Sequence, residues 1–126
     1  MPLTSYAKKL CLDWLLSGAA ATQPVGRWIG MATGTPTEAG DSAQAFPRAT
    51  LKFAAANSPQ GSVTNNTAAT CPNTGAAATP SGFNIYDANA AGNRLAWGTF
   101  GATLGCRASN TDSVVLNVGS IKVVFD

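Results

Sequence analysis

Six carboxylates, three cysteines and no histidine are the stock from which this chain could build a reactive or metal-binding site. The densest group of oxygen ligands lies in "NIYDANAAGNRLAWG", where Asp87, Asn89, Ala91 and Gly92 match the first, third, fifth and sixth positions of a calcium-binding EF-hand loop. The match fails further on, because the fifth position carries Ala91 in place of an oxygen ligand and the twelfth, which needs a bidentate Glu, falls on Gly98. No second helix follows. Strand-like sequence flanks the loop on both sides, so its Asn and Gly residues read as the connection of a β-hairpin. Asp87, Asn89, Gly92, Asn93 and Trp97 are therefore assigned to a structural hairpin, and neither a metal nor a cofactor is expected.

Hydrolytic chemistry finds little support. Without histidine the usual base of a Ser or Cys triad is missing. The remaining carboxylates, Asp13, Glu38, Asp41, Asp87, Asp112 and Asp126, are scattered, and Glu38 with Asp41 lies in a loop that gives no fixed separation. Cys11, Cys71 and Cys106 are odd in number, widely spaced and without a C-x-x-C pair, so they read as small hydrophobes. The glycine-rich "GMATGTPTEAG" and "GTFGATLG" lack the spacing of a phosphate-binding or dinucleotide-binding loop. These features point away from an enzyme.

Only 11% of residues are charged, and the net charge of +2 comes from eight scattered basic residues, of which Lys8 and Lys9 alone are adjacent. Such a surface offers no footprint for nucleic acid or an anionic membrane, and neither is expected as a partner. No apolar run reaches the roughly 20 residues that cross a bilayer. Asp13 breaks the short apolar stretch after Lys9, which argues against a signal peptide and for synthesis in the cytoplasm.

The elements that must position these residues follow from periodicity. In "SYAKKLCLDWLLS" residues Ala7, Leu10, Cys11, Trp14 and Leu15 form one stripe of an amphipathic helix, capped by Thr4 or Ser5 and closed at Gly18. Trp14 is expected to fasten that helix to the rest of the chain. From Gly26 the period changes to that of strands. In "RATLKF" Ala49, Leu51 and Phe53 share one face and Arg48, Thr50 and Lys52 the other, which makes one face wet. "GRWIGMAT", "GSVTNNTAAT", "GFNIYDA" and "RLAWGTF" are further strand candidates. "SVVLNVGSIKVVFD" reads as two strands meeting near Gly119, with Val114, Leu116 and Val118 aligned in the first and Ile121, Val123 and Phe125 in the second. Core packing is expected for at least two of Trp28, Tyr86 and Trp97. The expected fold is mainly β, a jelly-roll-like β-sandwich of about seven or eight short strands preceded by one N-terminal amphipathic helix. It is read as a single domain over 1–126, with an arm and helix in 1–22 and the sandwich in 26–126. The loops at 33–47 and 71–82 are long enough to be functional or ordered by a partner.

The order of these features resembles a family of small tailed-bacteriophage virion proteins. The resemblance spans nearly the whole chain: "KKLCLDWLLSG", "TQPVGRWIGMATGTPTEAG", "FPRATLKF", "GSVTNNTAATCP", "GFNIYDANAAGNRLAWG" and "IKVVFD". It departs at "GTFGATLGCRASNTDS", where a shorter polar loop is expected. The resemblance implies a non-catalytic virion protein on the outer face of the capsid. Its role would be that of a cement or decoration protein that binds across subunits of the major capsid protein, associates as a dimer or trimer, and stabilises the assembled shell by mass action. Members are often labelled tail-fibre proteins, so a tail fibre or baseplate component involved in host attachment is the alternative. The absence of repeats or a stalk favours the cement role, and the contacts are expected from Met1, Pro2, Leu3, Tyr6, Arg27, Glu38 and Arg48.

Overall fold

The computed structural model describes residues 3–20, 23–40, 47–56, 62–72, 80–100 and 113–124. It is mainly β. A short helix, α1 (Ser5–Leu12), runs into one wide helical turn, Asp13–Ser17, that ends at Gly18 in the left-handed conformation. Eight strands follow among the described residues: β1 (Trp28–Ala32), β2 (Ala49–Thr50), β3 (Ser62–Thr64), β4 (Ala69–Pro72), β5 (Gly82–Tyr86), β6 (Arg94–Thr99), β7 (Ser113–Leu116) and β8 (Lys122–Val124).

All pairings are antiparallel. One sheet has the order β2-β1-β5-β6, while β3 pairs with β8 and β4 with β7. The pairs β5–β6, β4–β7 and β3–β8 therefore nest, like the rungs of one long hairpin whose tip lies between Tyr86 and Arg94. Strands β1 and β2 stand outside that nest, joined to it through β5. Two expectations are corrected here. "GSVTNNTAAT" is two strands broken at Asn65–Thr67, because Asn65 turns the chain. The C-terminal strands meet at a turn near Gly119 as expected, pairing with β4 and β3, but Val118, expected in line with Leu116, is 63% exposed within that turn. Phe125 lies outside the described residues.

The sheets share one core of Ile29, Met31, Leu51, Ala69, Cys71, Ile85, Ala96, Val114, Leu116 and Ile121. Each large aliphatic buried there contributes roughly 1.5–3 kcal/mol. Burial pushes the Cys71 thiol up to about 11, so it stays neutral, and its Sγ lies 3.8 Å from the Ile29 carbonyl it donates to. The register puts Ile29, Ile85 and Ala96 in one inward row, so Trp28 and Tyr86 fall on the opposite face, as do Asn84 and Trp97. The expectation of core aromatics fails for that reason: Tyr86 is buried, but under Arg48, and Trp28 and Trp97 are half-buried on the outer face.

Asn65 joins the two turns behind the core. It is 1% exposed. Its Nδ2 donates to Thr67 and Asn117 carbonyls at 3.0 and 2.9 Å, its Oδ1 accepts from the Ile121 amide at 2.9 Å, and its backbone bonds Ile121 and Gly119. One side chain thus satisfies polar groups of both corners.

The hairpin tip is built by a similar economy. The Asp87 carboxylate accepts from the Asn93 amide (2.7 Å) and from Asn93 Nδ2 (3.0 Å), while the Asp87 amide donates back to the Asn93 carbonyl (3.0 Å). Ala91 and Gly92 both have positive φ, 51° and 75°. A Cβ on Gly92 would stand 2.5 Å from Asp87 Oδ1 and 2.6 Å from the Ala88 Cβ. Arg48 closes the loop from outside, donating to the Ala88 and Ala91 carbonyls at 2.8 and 2.7 Å with its guanidinium 3.4 Å above the Tyr86 ring centroid.

Two stability measurements check these assignments. Replacing Asn65 with Ala removes three hydrogen bonds and strands the buried Ile121 amide, so denaturant unfolding should show a loss of about 3 kcal/mol. Gly92→Val should destabilise through both strain and overlap, whereas Ala91→Gly should stabilise the chain by up to about 1 kcal/mol by relieving the left-handed backbone.

Candidate docking surface at the N-terminal helix

Helix α1 begins where the chain is most firmly held. Thr4 is its N-cap: Oγ1 accepts from the Ala7 amide (3.3 Å) and donates to the Arg94 carbonyl (2.5 Å), while the Thr4 amide donates to the Leu95 carbonyl (2.9 Å). Leu3 bridges to Ala96. The helix start is in effect stitched along β6.

A second chain segment reinforces this join. The Ser5 amide, one of the donors that a helix N-terminus leaves unpaired, donates to Glu38 Oε1 at 2.7 Å. That bond is the main cause of a Glu38 pKa below the usual carboxylate value, helped by the Ser5 side chain and the charge of Lys8. The turn carrying Glu38 is held by Arg94, which donates to the carbonyls of Thr37, Glu38 and Gly40 and to Asn84 Oδ1. Pro36 sits on the same sheet face, close enough that a Cβ on Gly82 would lie 2.6 Å from its ring. This packing covers the outer face of β5 and explains why Asn84 is fully buried.

Beyond its first turn the helix leaves the body. Only Ala7 is buried, and Leu12, Trp14, Leu15 and Leu16 are 49, 69, 61 and 79% exposed. The expectation that Trp14 fastens the helix to the sheets is thereby corrected. The stripe is real, but among the described residues nothing covers its C-terminal half. The wide turn at Asp13–Ser17 shifts the helical spacing there, with Ser17 Oγ donating to the Asp13 carbonyl at 3.0 Å and Lys9 paired to Asp13. The outcome is an apolar knob, three leucines and a tryptophan, projecting from a rigid base. Monomeric surfaces rarely leave such a group uncovered.

The residues assigned to contacts from the sequence separate into three places. Leu3, Tyr6 and Glu38 come together at the helix base, with Tyr6 41% exposed. Arg48 belongs to the hairpin tip and Arg27 to a cleft beside β1 and β2. Met1 and Pro2 lie outside the described residues, as do Asp41, Cys106, Asp112 and Asp126. Both Asp87 oxygens are spent on Asn93, and Asn89 is exposed. Among the described residues no three of Cys, Asp or Glu come close enough to hold a metal ion. Arg94 was missed in the sequence. Its partners lie more than 50 residues away in the chain, apart from Asn84, and local pattern carries no trace of them.

A rigid β-body with an apolar helix end left uncovered among the described residues, and with Asp13, Glu38 and Asp87 engaged by neighbouring groups, has the form of a structural subunit. A family model described as "Podophage GP4 fiber I protein gp80" matches residues 2–124, and the chain belongs to that family. It is a structural protein of the phage particle, of the fibre type. No curated protein matches the chain.

The Glu38 cap has a definite pH dependence. A carboxylate whose folded pKa is lowered contributes above its unfolded pKa and is lost as pH falls through the lower folded value. In an NMR titration Glu38 should therefore protonate below the usual carboxylate range, with the Ser5 amide shift following the same curve. Glu38→Gln should abolish that step in the Ser5 signal.

Proposed function

We propose that the chain is an exterior fibre-type subunit that seats the apolar end of its N-terminal helix in a groove of a neighbouring virion protein, as part of the host-attachment apparatus. The exposed cluster of Leu12, Trp14, Leu15 and Leu16 on a helix whose base is locked carries this reading. The family description supports the fibre assignment. Large apolar anchors on a pre-ordered helix give affinity at little entropic cost.

A second reading keeps the same helix and changes the partner. The described body is compact and without repeats, which suits a cement protein seated on the outer face of the shell as a dimer or trimer, with the major capsid protein as partner. The two readings differ in position on the particle. Gold-labelled electron microscopy should place the chain on tails under the first and over the heads under the second.

Docking itself is tested by the double variant Trp14→Ser, Leu16→Ser. These side chains are exposed, so thermal stability of the free protein should change by no more than about 0.5 kcal/mol. Incorporation into particles, measured by quantitative blotting of purified virions, should fall to near background.

A further inference from the structure

The side chain of Arg27 opens onto a second feature that the helix does not use. Beside β1 and β2 lies a cleft of about 710 Å³, lined by Gln23, Arg27, Trp28, Lys52, Phe53 and Asn66 among others. Its size falls within the range of small-molecule sites. Its chemistry is mixed in an informative way. Two half-buried aromatic rings, Trp28 and Phe53, supply apolar surface, and Trp28 is folded back so tightly on Gly26 that a Cβ there would stand 2.6 Å from the indole. The ring is a fixed platform.

Around that platform the polar groups are cationic or amide. Among the described residues that line it, none is acidic. Among the described residues Arg27 makes a long bond, 3.5 Å to the Pro24 carbonyl, and Lys52 is exposed with no ion pair. The acids described elsewhere are engaged: Asp13 with Lys9, Glu38 with the Ser5 amide and Asp87 with Asn93. The walls are also held in place, because the Leu51 amide donates to the Arg27 carbonyl (2.8 Å) and the Asn66 amide to the Lys52 carbonyl (3.0 Å).

We infer that this cleft binds an acidic saccharide. A pyranose has an apolar face that stacks on Trp28 or Phe53 and hydroxyls that pair with Gln23 and Asn66. A carboxylate or sulfate on the sugar pairs with Arg27 and Lys52 through charge-assisted hydrogen bonds. Two cations, with no further basic residue among the described lining, fit one or two charged sugar units better than a nucleic-acid strand. The inference is independent of where on the particle the subunit docks.

The test is NMR titration of the whole chain with digalacturonate, sialyllactose and a heparin disaccharide, with lactose as the neutral control and a short oligothymidylate as the nucleic-acid control. The Trp28 indole signal should shift with at least one acidic sugar. Binding should weaken with added salt and by about tenfold in Lys52→Glu and in Arg27→Gln, the loss of one charge-assisted bond. Lys52 is exposed, so its variant should keep the wild-type spectrum away from the cleft. Three results would each overturn the inference: no shift at Trp28 with any acidic sugar at millimolar concentration, equal binding of lactose, or tighter binding of the oligothymidylate.

Discussion

The short loop from Asp87 to Asn93 sets the register on which the remaining strand pairs are built. A strand slip by one residue sends every inward side chain outward, so the pairing of Ile85 with Ala96 has to be fixed at its nearest end. The Asp87 carboxylate does this by holding both the backbone and side chain of Asn93. Arg48 supports the arrangement from the position just before β2, satisfying two loop carbonyls and covering Tyr86. With that tip in place, β4–β7 and β3–β8 extend the same nested pairing, and Asn65 closes its far end.

The same hairpin transmits this order to the helix. Its second strand carries Arg94 and the carbonyls that hold Thr4, and its first carries Gly82 and Asn84, over which the turn of Pro36 and Glu38 lies. One sheet is therefore covered on both faces, by the core on one side and by the helix base with its supporting turn on the other. A helix of this length has little stability of its own in water. Tethered at its N-terminus it becomes a positioned anchor. The arrangement presents Trp14, Leu15 and Leu16 with their direction largely decided before any partner arrives, which lowers the ordering cost of association.

What the sequence made legible was local. Thr4 as cap, Gly18 as terminator, the alternation in "RATLKF" and the turn residues of the hairpin all act within a few positions of their own place in the chain. The mainly β character followed from the same short-range pattern. The pairing of β7 with β4 and β8 with β3 did not, because strands from distant parts of the chain carry no mark of their partners. An amphipathic stripe also says only that a helix wants an apolar neighbour. Trp14 and Leu15 satisfy that pattern while lying outside the body, since periodicity does not distinguish a core from another molecule. The roles of Arg94, Glu38 and Asn65 were hidden for a related reason: each is a polar side chain whose partners are brought in by the fold.

A locked body offers a free helix end to a neighbour, and hydrogen–deuterium exchange on the isolated chain and on assembled particles tests this most directly. Amides from about Lys9 to Ser17 should exchange more slowly in the particle than in the free protein, while those of Asn65, Asn93 and Ile121 stay equally protected in both. Unchanged exchange across the helix, with new protection confined to another surface, would contradict it.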